Sequence, residues 1–220
     1  MGSSTNTARL AGLLWVLTAV TGDSGLFTIR SRVLVPGDAA ATAGNIMSSE
    51  SLYRAAIVST LVSQMLLFFL GLILFRLFRE VDKRLAAVLL ASVMMTVGLA
   101  IMNTLNHFEA LMLLSQAEFL KAFTPPQLDA LAMASVRLAN GAGQGLVEIF
   151  WAPYYISFGL LVLRSGFLPK ILGILLVAMG AGFAINILRN SWCRHSIRRS
   201  SPRSRWPSAV SAEFRRCYGC

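Results

Sequence analysis

The sequence predicts an all-α fold, a polytopic bundle of transmembrane helices, on two observations. Hydrophobic residues make up 55% of the 220 and charged residues 14%, against roughly 25% charged in an ordinary soluble domain. With a mean hydropathy of +0.64, too little polar surface remains to wrap a water-soluble globule. The apolar residues are also gathered into blocks long enough to cross a hydrocarbon core of ~30 Å, instead of recurring at the spacing of an amphipathic helix or strand.

The first block runs about Leu10 to Ile29, preceded by Arg9 and interrupted late by Thr21, Gly22 and Asp23. A short basic start before Leu13-Leu14-Trp15-Val16-Leu17, with small residues after it, also fits a cleavable signal peptide; the further spans downstream favour a retained helix. Residues 30–54 form a polar connection, in which Pro36-Gly37 punctuates and Asp38 can cap a short interfacial helix over the Ala-rich run Ala39 to Met47. Ala55 to Phe78 is almost uncharged and makes the second span, closed by the charged turn Arg79-Glu80-Val81-Asp82-Lys83-Arg84.

Leu85 to Leu114 is the third span. A loop with Lys121 and Pro125-Pro126 follows, since proline stops one helix and suits the first turn of the next, and the fourth helix is expected to begin near Gln127. After a short basic link from Arg164 to Lys170, the fifth span carries Asn186 as its one strongly polar residue. The expected transmembrane domain thus covers 1–188, with spans at about 10–29, 55–78, 85–114, 127–163 and 168–188.

Lysine and arginine near the span ends set the orientation. With the N-terminus inside, the inner links hold Arg9, Arg76, Arg79, Lys83, Arg84, Arg164 and Lys170 in short stretches, and the longer outer ones hold Arg30, Arg32, Arg54, Lys121 and Arg137. A cytoplasmic N-terminus is therefore expected.

The net charge of +10 is mostly a property of the tail, where residues 189–220 carry 8 of the 20 basic residues and one acid. Cys193, Cys217 and Cys220 lie there too, at spacings that match no zinc or disulfide pattern. Five spans from an inside start would leave this arginine-rich tail outside, against the positive-inside rule. Its Arg, Ser, Pro, Trp and Cys vocabulary is that of GC-rich DNA read in the wrong frame. We expect a disordered tail arising from a frameshift near Leu188 to Trp192 that removes a sixth span; the alternative is a genuine basic segment that binds anionic lipid or, if cytoplasmic, nucleic acid.

Val35-Pro36-Gly37-Asp38-Ala39-Ala40-Ala41-Thr42-Ala43-Gly44-Asn45-Ile46-Met47, with Ser49 to Arg54 after it, resembles a bacterial family of multi-pass membrane proteins called domain of unknown function 4386. Thr7-Ala8-Arg9-Leu10-Ala11-Gly12-Leu13-Leu14 and Ser165-Gly166-Phe167-Leu168-Pro169-Lys170-Ile171-Leu172-Gly173 fit the same pattern, and the resemblance fails beyond about residue 188. It implies about six spans and a bacterial cytoplasmic membrane, and it implies no activity.

Chemistry inside such a bundle is sought among its intramembrane polar residues, which are costly there and suggest function by default. At about 1.5 Å of rise per residue, Asn103 lies about 27 Å, Glu148 about 22 Å, Asp23 about 20 Å and Asn186 about 27 Å from the inner surface. Gln64 sits in the first half of a span that enters from outside. Polar groups thus gather in the outer half of all five spans. Asn103, Asn106 and His107 share one helix face, as do Gln144 and Glu148. Asp23, Gln64, Asn103, His107, Gln144 and Glu148 are the candidate ligand-binding residues of an outward-facing pocket, and hydrogen-bonded glue between helices is the rival account, favoured for Asn106, His107 and Glu109.

Gly141, Gly143 and Gly145 are read as points of close helix contact, not a phosphate cradle. No nucleotide, zinc or nucleophile motif appears, and one intramembrane histidine makes no metal or haem site, so neither cofactor nor enzymatic activity is expected. A small-molecule or ion permease or binding protein is the leading expectation, a non-catalytic membrane assembly subunit the second. The expected partners are the bilayer and another membrane protein or a second copy, with no nucleic acid.

Overall fold

Three of the turns, those before Ala39, Lys83 and Pro125, begin the next helix with a residue suited to that place. The computed structural model describes the backbone of residues 2–28, 32–115, 117–166 and 168–199, and the side chains among them at 9–22, 32–115, 117–166 and 168–189. The helices are α1 (Gly2–Thr28), α2 (Ala39–Ser48), α3 (Glu50–Phe78), α4 (Lys83–Leu113), α5 (Pro125–Leu138), α6 (Gln144–Ser165) and α7 (Lys170–Arg199). A 3-10 turn at Glu118–Ala122 precedes α5, and a π-helical segment, Ala139–Gly143, runs α5 into α6 without a break.

Asp38 starts α2 by accepting the Ala41 N–H at 2.9 Å. Asp82 does the same for α4 with the N–H groups of Arg84 and Leu85, at 3.0 and 3.1 Å. These backbone bonds, with the Arg164 guanidinium beside it, hold the Asp82 carboxyl below the usual carboxylate range. At α5 the Thr124 N–H donates to Gln127 Oε1 at 2.9 Å, and the helix begins at Pro125, two residues before the expected start, because proline needs no N–H partner in the first turn. Gly166, with φ of 69°, ends α6 in the left-handed conformation that glycine adopts without penalty.

α1 runs antiparallel to α3, with Ser63 Oγ donating to Thr18 O at 2.9 Å and Ser59 Oγ to Thr21 O at 2.7 Å. Hydroxyls facing no water need such acceptors. α4 packs between α3 and α6, and α6 packs on α7. The α6–α7 contact is made by glycines: a Cβ at Gly159 would stand 2.7 Å from Gly173 O, and one at Gly180 3.0 Å from Ala152 O. Backbones approach this closely only where side chains are missing.

Two apolar clusters divide the bundle along its length. One, built on Leu70, Leu74, Phe78, Leu89, Leu161 and Val162, lies at the end where the Arg164–Asp82 ion pair ties the end of α6 to the α3–α4 turn. The other, built on Ile46, Tyr53, Ile57, Ala110, Leu120 and Val136, seats α2 and α5 over the opposite end.

Among the described residues, four helices are long and apolar enough to cross a membrane: α3, α4, the continuous Pro125–Ser165 helix, and α7 over Lys170–Arg189. The first of the five expected spans is represented by the shorter apolar stretch Arg9–Gly22 of α1. α7 continues past Leu188 to Arg199, and residues 200–220 of the basic tail lie outside the described residues.

Candidate functional site

Between the two apolar clusters the helices part around a cavity of about 370 Å³. Gln64 from α3, Asn103 and His107 from α4, and Gln144 and Glu148 from α6 all line it. Five residues singled out from the sequence are therefore brought together from three helices. The sixth, Asp23, belongs to α1 but lies outside the described side chains. Asn106 and Glu109 are not among the lining residues; the Asn106 amide donates to Asn103 O and Oδ1, both at 3.1 Å, and Glu109 is exposed.

The lining residues divide by how they are bonded. Asn103 Nδ2 donates at 3.0 Å to Ala139 O, the first carbonyl of the π-helical segment, which also accepts the Gln144 N–H. A Cβ at Gly143 would overlap the Asn103 amide, so this glycine lets the segment come close, whereas Gly141 and Gly145 have nothing nearby. His107 Nδ1 and the Tyr53 hydroxyl are 2.9 Å apart, a bond that joins α4 to α3 beneath the α2 and α5 cap. Both side chains have found internal partners, as hydrogen-bonded glue would.

Gln64 and Glu148 differ from these. Gln64 Oε1 is buried with no hydrogen-bond partner among the described residues, although an unmet acceptor in such surroundings costs ~1–3 kcal/mol. Glu148 Oε2 accepts one bond, from Asn186 Nδ2 at 3.3 Å, and Arg189 Nη2 in turn holds Asn186 Oδ1 at 3.0 Å. The ion pairs among the described residues are Arg54–Glu50, Arg79–Glu80, Lys121–Glu118 and Arg164–Asp82, all away from the cavity. Among the described residues no cation lies within 4 Å of the Glu148 carboxylate.

Sequence reasoning missed the cavity's other wall. Gln144, Glu148, Trp151 and Tyr155 recur at i, i+4, i+7 and i+11, so a single stripe of α6 faces the space. Met179 and Phe183 of α7 and Trp15 of α1 complete it. The Tyr155 and Phe183 rings are stacked at 3° with centroids 5.6 Å apart, and Trp151 lies against both, at 5.4 Å and 6.0 Å. Tyr154 packs edge-on to Trp151 at 6.0 Å, its hydroxyl buried and, with the Trp15 indole near it, still without a completed hydrogen bond. The stripe's spacing was available as a signal, but a search for intramembrane amides, acids and histidine passes over tryptophan and tyrosine.

A second, fully apolar crevice of about 220 Å³ lies nearer the charged turns, lined by Ala11, Leu70, Leu74, Phe158 and Leu172 among others, and Trp15 borders both spaces. Among the described residues no group of three or more His, Cys, Asp or Glu is placed to hold a metal ion. The family model described as "Domain of unknown function (DUF4386)" matches residues 10–197, reaching beyond Leu188. No curated protein and no solved structure matches the chain.

Proposed function

We propose that this chain, which belongs to the DUF4386 family of unknown function, is an integral membrane protein that binds a small solute in its intramembrane cavity and serves as a permease or solute receptor. The observation that carries the reading is the unmet Gln64 Oε1 in a cavity whose lining also includes Gln144 and Glu148. A protein using polar groups only to hold helices together satisfies them, as Asn103 and His107 are satisfied. A volume of about 370 Å³ falls in the ~300–1,000 Å³ range of small-molecule sites.

In this reading α1 is a fifth span, held to α3 by the Ser59 and Ser63 bonds, and its N-terminus is cytoplasmic. The short basic links then lie inside, and the cavity belongs to the outer half of the cytoplasmic membrane. The π-helical segment immediately before Gln144 gives the site a place to move, since π-bulges mark positions where a helix can change register. A purely structural assembly subunit is the second reading, and the bonded state of Asn103 and His107 favours it for those two residues alone.

Water access tests the proposal. In a chain with Cys193, Cys217 and Cys220 changed to serine, Gln144→Cys should react in intact cells with a membrane-impermeant thiol reagent, while Ala86→Cys, in the apolar end, should not. Unreactive Gln144→Cys, even in detergent-solubilised folded protein, would mean a closed void and would overturn the reading.

A further inference from the structure

We infer that the ligand of this cavity is an organic cation, held between the Glu148 carboxylate and the aromatic wall of Trp15, Trp151, Tyr154, Tyr155 and Phe183. The inference rests on the reading of the cavity as a solute site and names the class of solute.

Three features favour positive charge. The carboxylate borders the cavity with one amide donor and, among the described residues, no cation within 4 Å, and an acid inside a helix bundle gains from a positive charge paired with it. Arg189 is exposed and spends its guanidinium on Asn186 Oδ1, which turns the Asn186 amide N–H toward Glu148; it orients the partner of the carboxylate and does not replace an occupant. The rings come next. Aromatic faces carry negative potential and attract ammonium groups, more so when water is excluded. Here Trp151 and Tyr155 follow Glu148 on the same α6 stripe, so carboxylate and rings border one space. Finally, Gln64 Oε1 adds an acceptor that no protein group fills.

An inorganic ion would use the carboxylate and the amide oxygen but gain little from five rings. A neutral solute would use the rings and the amides but leave the carboxylate unpaired. An alkylammonium uses all of them, its charge on Glu148 and its methyl groups on the aromatic wall, and an N–H or O–H it carries can donate to Gln64 Oε1.

The test uses the full-length Gln144→Cys protein, again with Cys193, Cys217 and Cys220 changed to serine, in lipid nanodiscs, with thiol modification as the readout and three probes: choline, its uncharged isostere 3,3-dimethyl-1-butanol, and potassium chloride. Choline should slow modification at a concentration about tenfold or more below that needed by the uncharged isostere, and potassium chloride should have no effect. Adding Glu148→Gln should remove this preference while leaving the response to the isostere unchanged. Trp151→Leu should weaken choline without creating a response to potassium, and it serves as a second arm if Glu148→Gln fails to fold. Equal protection by choline and its isostere, protection by potassium, or protection by none of the probes would each overturn the cation inference while leaving a reachable cavity. A thiol that never reacts would remove the solute site itself.

Discussion

The two halves of the bundle use the same four helices, α3, α4, α6 and α7, in opposite ways. Toward the charged turns the helices meet through glycines and aliphatic side chains: Gly159 against Gly173, and Gly71 where a Cβ would stand 2.7 Å from Val93 Cγ1. The crevice described there is apolar, and a lipid environment leaves it at no electrostatic cost. Toward α2 and α5, amide, carboxyl and aromatic side chains hold the helices apart around a larger cavity. The difference teaches where this protein keeps its stability and where it keeps unmet polar groups. One half is closed by shape, and the other is lined by polar and aromatic side chains around a space.

The strongest way to break the contrast is to overfill the closed half. Gly159→Leu places a side chain against the backbone of α7, where no rotamer change relieves the overlap. Overpacking costs ~1–3 kcal/mol even when side chains can yield, so about 3 kcal/mol is expected here. That corresponds to a melting temperature lower by about 6–12 °C for a chain of this size, or to no folded protein. Thermal unfolding followed by size-exclusion chromatography reads it. A variant that melts with the parent would show that α6 and α7 do not depend on this contact.

Asn103→Leu probes the boundary between the two halves. It removes the side-chain donor to Ala139 O, which keeps only the Gln144 N–H, and the side-chain acceptor for Asn106. Intramembrane hydrogen bonds average about 0.6 kcal/mol and reach about 1.7, so a loss of ~1–1.5 kcal/mol is expected, a fall in melting temperature of about 3–5 °C. Unchanged stability would return Asn103 to the ligand-binding group.

How legible this arrangement is from the sequence depends on what kind of signal each part leaves. Helices α3, α4 and α7 stand out because a bilayer demands long uninterrupted apolar runs, and charged turns such as Arg79 to Arg84 separate them cleanly. Gln64, Asn103, Gln144 and Glu148 are visible because polar residues are rare in such runs, and their depths agree because the spans are antiparallel. What depth cannot reveal is bonding. Asn103 is tied to Ala139, 36 residues away, and His107 to Tyr53, 54 residues away, and neither pairing leaves a periodic trace. The aromatic wall was hidden for a different reason: a count of amide and carboxyl depths passes over Trp151 and Tyr155, whose ring faces carry a quadrupole. The helical register of α6 would have exposed it, had the stripe through Glu148 been followed toward the C-terminus.

Gln64→Leu is expected to have the smallest effect on stability, and its sign is the informative part. Leucine keeps roughly the length and bulk of glutamine while removing an acceptor that is buried and unpaired. If the polar lining is a functional compromise, the folded protein loses nothing by the change and becomes more stable by up to about 1 kcal/mol, because an unmet polar atom disappears. Its melting temperature should therefore stay level or rise by about 2–4 °C, whereas choline protection of Gln144→Cys should weaken in the same background. The two measurements have to move in opposite directions. Were Gln64→Leu instead to melt several degrees lower, the amide would be contributing to the fold, the open half would be held together much as the closed half is, and the contrast between them would reduce to one of side-chain type.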